Sequence, residues 1–326
     1  MTAERSGPAP PGQPWPPPSG EQHLVRASGY EAVVVQVGGG LRRLRHDGSD
    51  LVAGYPIDAI CDGGRGQILA PWPNRVADGR YVVEGRTLQL DLSDPAGQTA
   101  IHGLVRWEPW RLAERHDDHV RLTHRLSARP GYPWTLDLEV DYRLGTDGLT
   151  VTMRARNLTA VTVPYAQGAH PYLSVGHEEV DQARLLVPAR TALRTDSRGL
   201  PTGRVRLAGA GGHADPDSSS VDFSMDRSIS TAVLDTPYTD LVRDADGRAR
   251  ARLQVSGRPE VVLWVDEGFG WIQVFTGDTL APQHRRRGLA LEPNSAPPNA
   301  LATGEDLTWL APGADVTGRW GIYAVG

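Results

Sequence analysis

Leu136-Asp137-Leu138-Glu139-Val140-Asp141-Tyr142-Arg143-Leu144 alternates an apolar with a charged side chain at every step. Successive side chains of an extended chain point to opposite faces. This run therefore lays Leu136, Leu138, Val140, Tyr142 and Leu144 along one face and the charges along the other. A helix would scatter the same charges over its apolar side. Residues 145–148, with a glycine at each end, turn the chain, and the alternation resumes through Leu149, Val151, Met153 and Ala155. The pattern predicts an antiparallel hairpin whose loop exceeds the two-residue minimum.

The same period recurs on both sides. Strands are predicted over 32–37, 81–83 with 87–92 across a Glu84-Gly85 turn, 120–126, 250–255, 261–265, 271–276 and 316–325. The 37 glycines and 26 prolines punctuate these runs and leave little room for long amphipathic helices. Strand after strand with turn signals between them predicts an all-β protein, a large antiparallel β-sandwich, with under about a tenth of the chain helical. Residues 199–220, rich in Gly, Asp and Ser, read as a long loop. Residues 1–20 hold seven prolines and no apolar run, which reads as a disordered lead rather than a signal peptide. Residues 21–326 read as one domain, without internal repeats or heptads.

Composition removes several chemistries. Cys61 is the only cysteine, so neither an intrachain disulfide nor a cysteine-based metal cluster can form. Every residue in the count of 34 Lys+Arg is arginine. Schiff-base catalysis and Walker-type phosphate binding both need a lysine, and neither is open to this chain. The net charge of -5 and the absence of a basic tract beyond Arg285, Arg286 and Arg287 argue against nucleic-acid and anionic-membrane partners. No run reaches the ~20 apolar residues of a spanning helix, and the expected address is the cytoplasm.

Six segments gather polar side chains in unusual company: Pro71-Trp72-Pro73-Asn74-Arg75, Ile101-His102-Gly103, Gly168-Ala169-His170-Pro171-Tyr172, Leu234-Asp235-Thr236-Pro237-Tyr238, Trp271-Ile272-Gln273-Val274-Phe275-Thr276-Gly277 and Leu291-Glu292-Pro293-Asn294. In content and order they resemble the aldose 1-epimerase (galactose mutarotase-like) family. That family shows an Asn-Arg pair, a His-Gly, a His-x-Tyr, a lone Asp, a Gln-x-x-Thr-Gly and a late Glu-Pro. The resemblance runs from Val33 to Tyr323 and implies the galactose mutarotase-like supersandwich. It departs at Thr236 and Pro237, where many members carry His or Asn, and at the Pro-Tyr-Leu-Ser after His170, a variant of the broader mutarotase-like group.

The resemblance implies a mutarotase that interconverts the α and β anomers of an aldohexose, with Glu292 as general base, His170 as general acid, and neither cofactor nor metal. Ring opening needs just such a pair: one group takes the proton of the C1 hydroxyl while the other protonates the ring oxygen, and closure reverses the roles. Glu292 stands among Leu289, Ala290 and Leu291, where burial would tune its protonation. The imidazole is expected to titrate above its ordinary value beside an ionised Glu292. Asn74, Arg75, His102, Tyr172, Asp235 and Gln273 would bind the sugar.

Each assignment has a plainer reading beside it. Arg75 also suits a structural salt bridge, Gln273 an outward-facing strand position, and Asp240 competes with Asp235. Trp72, Trp107 and Trp110 suit sugar stacking or core packing. His116, His119, His124, His177 and His213 have no motif around them and read as surface or satisfied core residues. Other functions share the fold. A hexose-6-phosphate 1-epimerase would want several basic groups over the phosphate, and the motifs hold one Arg, so a neutral aldohexose is expected to be preferred. A non-catalytic carbohydrate-binding protein would not need both His170 and Glu292. A glycoside hydrolase would want two flanking carboxylates, and one motif-embedded Glu is found. The expected partner is a small sugar, with the chain a monomer or homodimer.

Overall fold

The structure, a computed structural model, describes residues 15–210 and 214–325. The alternating run forms the strand Leu136–Gly145, paired in continuous register with Gly148–Asn157 from Leu136 opposite Asn157 to Gly145 opposite Gly148. Only Thr146 and Asp147 remain in the loop. It is a minimal hairpin, shorter than expected, because both glycines join the ladder. The apolar stripe faces inward as the period requires, with Leu136, Leu138, Val140, Tyr142 and Leu144 all buried.

This hairpin lies in an antiparallel nine-stranded sheet, in the order Arg111–Arg115, His119–Leu126, Leu136–Gly145, Gly148–Asn157, Asp315–Val325, Glu260–Val265, Ala249–Gln254, Arg184–Leu186 and Arg227–Ser228. A second antiparallel sheet runs Pro201–Arg206, Ala189–Thr195, Asp235–Leu241, Trp271–Phe275, Leu289–Asn294, Gly168–Ala169 and Ile68–Leu69, with Tyr172–Leu173 also paired to Leu289–Asn294. A four-stranded sheet from Gln22–Ala27 to Ser49–Asp50 completes the main framework. One apolar cluster draws Val140 and Val151 from the first sheet, Ile272 and Leu291 from the second and Val34 and Leu44 from the third. The fold is an all-β antiparallel sandwich. Among the described residues the only α-helix is the turn Ala300–Thr303, and no helix there is long and apolar enough to cross a membrane.

Two expectations need correction. Residues 199–220 are not one loop, since Pro201–Arg206 is a strand at the edge of the second sheet. An edge strand tolerates Pro201 and Gly203 because one side of its backbone needs no ladder partner; residues 211–213, including His213, lie outside the described residues. Residues 1–14 lie outside them too, but Ser19 is buried and its carbonyl accepts from the Val37 N–H at 3.0 Å, so the segment's end belongs to the fold.

The second sheet positions the site by its pleat. Along Leu289–Asn294 the core receives Leu289 and Leu291, so Ala290, Glu292 and Asn294 point to the opposite face. By the same rule Ile272 and Val274 turn Gln273 and Phe275 to that face, and Tyr238 turns Asp235 to it. Gln273 stands directly opposite Glu292, and Asp235 opposite Phe275. Three neighbouring strands thus deliver the polar groups of three separate motifs to one place.

Candidate active site

A cleft of about 360 Å³ opens over that face, within the range of small-molecule sites. Asn74, Arg75, His102, His170, Asp235 and Glu292 line it together, with Asp94 and Arg106 added from outside the motifs and Phe275 from within the Gln273 motif. A larger hollow of about 560 Å³ lies over the nine-stranded sheet, lined by Arg111, Arg125, Asp137, Glu139 and Arg154. Its charges are largely paired across strands, as in Arg125 with Asp137 at 2.7 Å, and no sequence-predicted site residue reaches it. The smaller cleft holds the chemistry.

His170 Nε2 lies 3.2 Å from Glu292 Oε1, both side chains almost fully buried. The imidazole is fixed on several sides. Tyr172 stacks parallel to it at 5.0 Å and His102 meets it edge-on at 5.2 Å. Gly64 packs so close that a Cβ there would stand 2.8 Å from His170 Cδ2. Tyr172 is absent from the cleft lining; its hydroxyl donates to the Gly63 carbonyl at 2.9 Å, and the Arg65 guanidinium covers its ring at 4.3 Å. It buttresses the imidazole rather than facing the cleft.

The Asn-Arg and His-Gly motifs meet through the pairing of Arg75–Ala77 with Thr99–Ile101. The His102 N–H donates to the Asn74 carbonyl at 2.9 Å, and the Asn74 N–H donates to His102 Nδ1 at 3.3 Å. Nδ1 is therefore an acceptor and the ring proton sits on Nε2. Asn74 and His102 both hold positive φ, 53° and 63°, local strain of the sort that gathers at functional sites. Gly103, at φ 71°, admits nothing larger, because a Cβ would stand 2.1 Å from the Ala70 carbonyl oxygen.

Gln273 is also missing from the cleft lining. Its Nε2 donates to Asp235 Oδ1, so it holds the carboxylate from the next strand. Arg75 reaches Asp235 at 3.5 Å and Asp94 at 3.7 Å, so it lines the cleft and forms ion pairs at once. Asp240 points elsewhere, accepting from Thr191 Oγ1; of the two competing aspartates, Asp235 is the one in the cleft. Trp72 and Trp110 are core residues, Trp107 is half-exposed, and the aromatic ring in the cleft is Phe275. Strand polarity could have found Phe275, two residues from Gln273. Nothing in the sequence marked Asp94 or Arg106, which reach the cleft from loops.

Burial decides the protonation of the pair. It pushes the Glu292 carboxyl well above its ordinary range, Asp235 adding to the rise and Arg75 opposing it. It pushes the His170 imidazole well below its ordinary value, and Arg65, Arg106 and Arg75 lower it further. His102 is lowered for the same reason, with His170 and Arg106 next in weight. The sequence expectation of a raised imidazole is thus reversed: a dry site penalises both charges more than their attraction repays. Between the two titrations the pair keeps one proton, and burial places it on Glu292, shared toward His170. Glu292 Oε2 and His170 Nδ1 are buried without a hydrogen-bond partner among the described residues. Orphans of this kind cost about 1–3 kcal/mol each and call for a functional reason.

The described residues offer one cluster with metal-ligand character, Glu114, His116 and His119, within 4.8 Å of one another. It lies outside the cleft and already holds a cation: Arg121 is 2.8 Å from Glu114 and 3.1 Å from Asp141, the partner of His119.

A buried imidazole–carboxyl pair thus stands on one face of a β-sandwich, ringed by amide, guanidinium and carboxylate groups. The chain belongs to the aldose 1-epimerase family, whose sequence profile matches residues 21–322, and it is accordingly a carbohydrate epimerase. It is 32% identical over 299 residues to the uncharacterized protein YihR of Escherichia coli K12, covering 90% of each chain. Among solved structures it is similar to the GalM/aldose epimerase homologue of C. elegans, with TM-score 0.80, 16% identity, and 94% and 99% of the two chains covered. It is also similar to galactose 1-epimerase of Lactobacillus acidophilus, with TM-score 0.73, 20% identity, and 92% and 93% covered. These likenesses identify the sandwich as the galactose mutarotase-like fold.

Proposed function

We propose that this protein is an aldose 1-epimerase that interconverts the α and β anomers of an aldohexose. The observation that carries the reading is the 3.2 Å contact of His170 Nε2 with Glu292 Oε1 inside the cleft. The hydroxyl oxygen and the ring oxygen of a pyranose hang on the same carbon, C1. The groups that serve them must therefore sit side by side, as these two do.

The reaction balances on that pair. A sugar hydroxyl donating to the unpartnered Glu292 Oε2 favours the ionised carboxylate, as the Arg75 charge does, and leaves the proton of the pair to His170. Glu292 then takes the O1 proton, the O1 electron pair forms the C1 carbonyl, the C1–O5 bond breaks, and O5 takes the proton from His170. The aldehyde rotates about C1–C2, and closure on the other face runs the transfers backward. Asn74, His102 through Nε2–H, Arg75 and Asp235 hold the remaining hydroxyls. Gln273 holds Asp235, and Tyr172 holds the imidazole. These steps need neither a metal nor a redox cofactor, and the reading places the enzyme in the cytoplasm.

Polarimetry of freshly dissolved α-D-glucose and α-D-galactose tests it. Catalytic amounts of protein are expected to speed the approach to the equilibrium rotation of at least one sugar. A rotation curve identical to the uncatalysed one for both sugars and for their C6-substituted derivatives overturns the reading.

A further inference from the structure

Arg106 is the one charged cleft residue that no motif contains and no partner among the described residues explains. It lies three residues past Gly103, half-buried, and lines the cleft with His102 and His170. Its backbone is fixed, since its carbonyl accepts from Gln67 Nε2 at 2.6 Å. Its guanidinium makes no ion pair and no hydrogen bond among the described residues. It lies over the half-exposed Trp107 ring at 5.6 Å, a contact worth ~0.5–1 kcal/mol that leaves its donors free. Arg75 differs, because Asp94 and Asp235 share it. Burial lowers the Arg106 pKa, and no carboxylate acts to raise it. A half-buried guanidinium without a counter-charge is costly unless something bound supplies one.

Its position says which part of a sugar it would meet. Gln67, whose Nε2 donates to the Arg106 carbonyl, accepts from the His170 N–H through its own carbonyl at 3.1 Å, and His102, four residues before Arg106, meets the imidazole edge-on at 5.2 Å. Arg106 therefore stands on the imidazole side of the catalytic pair. With His170 serving the ring oxygen, the neighbouring carbon C5 and its substituent C6 lie on that side. Asp94 and Asp235 also line the cleft and oppose any charge beyond one.

We propose that the physiological substrate is a hexose carrying a singly charged anionic group at C6, a carboxylate or a sulfur oxyanion, which Arg106 binds. This rests on the mutarotase reading for the orientation of the sugar. A guanidinium fork pairs with the two oxygens of such a group through parallel charge-assisted hydrogen bonds. A phosphate dianion would bring a second charge that the two aspartates repel. The expectation of a neutral sugar came from the single Arg within the motifs, and the fold supplies the second.

Calorimetric titration of the wild-type protein with sugars at anomeric equilibrium tests the proposal without requiring turnover. The probes are glucose, glucuronate, glucose 6-sulfate and glucose 6-phosphate. At least one monoanion is expected to bind tenfold or more tighter than glucose and tighter than the 6-phosphate. In Arg106→Gln the ratio of monoanion to glucose affinity should fall at least tenfold, with Arg106→Lys between. Raising ionic strength should weaken monoanion binding to the wild type while leaving glucose unaffected, a readout that needs no variant. Equal affinity for glucose and both monoanions, tightest binding of the phosphate, or a preference that survives Arg106→Gln overturns the proposal. Polarimetry reports separately on mutarotation, so a protein that turns over glucose but shows no preference for the anion refutes only this inference.

Discussion

The protonation of Glu292 and His170 is set by burial rather than by their mutual attraction, and this has consequences in stability as well as rate. A carboxyl whose folded pKa lies above its unfolded value loses stability as pH rises past the unfolded ~4.3, because the unfolded state releases its proton first. A buried imidazole with a depressed pKa loses stability as pH falls below ~6.5. Glu292→Gln keeps the size of the side chain and a donor toward His170 Nε2 while removing the first penalty. We expect this variant to raise Tm by at least ~2 °C at pH 7, and by less at pH 4; a lower Tm at pH 7 would contradict the account. Infrared difference spectra of the substrate-free protein at pH 7 should show a protonated carboxyl that vanishes in Glu292→Gln. Imidazole NMR should show His170 neutral through the ordinary histidine range, and a His170 titrating at or above pH 6.5 would restore the sequence expectation. The residues of this pair were legible in the sequence because each stands in a compact motif. Their charge state was not, since it depends on Tyr172, Gly64, Asp235 and three arginines that only the fold brings near.

At the scale of elements, the site is a product of strand register. Asp235, Gln273 and Glu292 lie on adjacent strands with their intervening neighbours in the core, so one rule of alternation aligns all three. Asp235→Asn should weaken the Arg75 pairing and the acceptor for sugar hydroxyls, raising KM about tenfold while kcat changes less than threefold. Asp240→Asn, at an exposed position facing Thr191, should leave both parameters within twofold, and the reverse pattern would exchange the two aspartates. The His102 support rests on a different device, the close passage of residue 103 beneath the Ala70 carbonyl. Gly103→Ala meets both a forbidden φ and a 2.1 Å contact. We expect a loss of at least ~2 kcal/mol in denaturant unfolding with an accompanying rise in KM; an unchanged midpoint would show that the segment can relax. Element boundaries followed alternation well where one face is charged, as at Leu136–Gly145. They escaped the sequence where both faces are covered, as in the fully buried Leu289–Asn294, or where a strand lies at an edge, as in Pro201–Arg206. Those are the cases in which period two leaves no mark.

At the scale of the molecule, one sandwich core carries the second sheet, and the loops at residues 93–96 and 101–106 close over its outer face to make the cleft. The fold class was legible because alternation, glycine and proline act locally and repeat along the whole chain. The cleft's Asp94 and Arg106 were not, because their arrival depends on where loops settle. All of this geometry converges on the claim that Glu292 and His170 open and close a sugar ring as one acid–base unit. The direct measurement is the polarimetric kcat of wild type, Glu292→Gln and His170→Asn on whichever hexose the wild type turns over fastest. Each variant removes a group needed in both directions of the reaction. The account therefore predicts that each lowers kcat at least ~100-fold, with a smaller change in sugar affinity. Variants that both turn over the sugar within threefold of the wild type would contradict it.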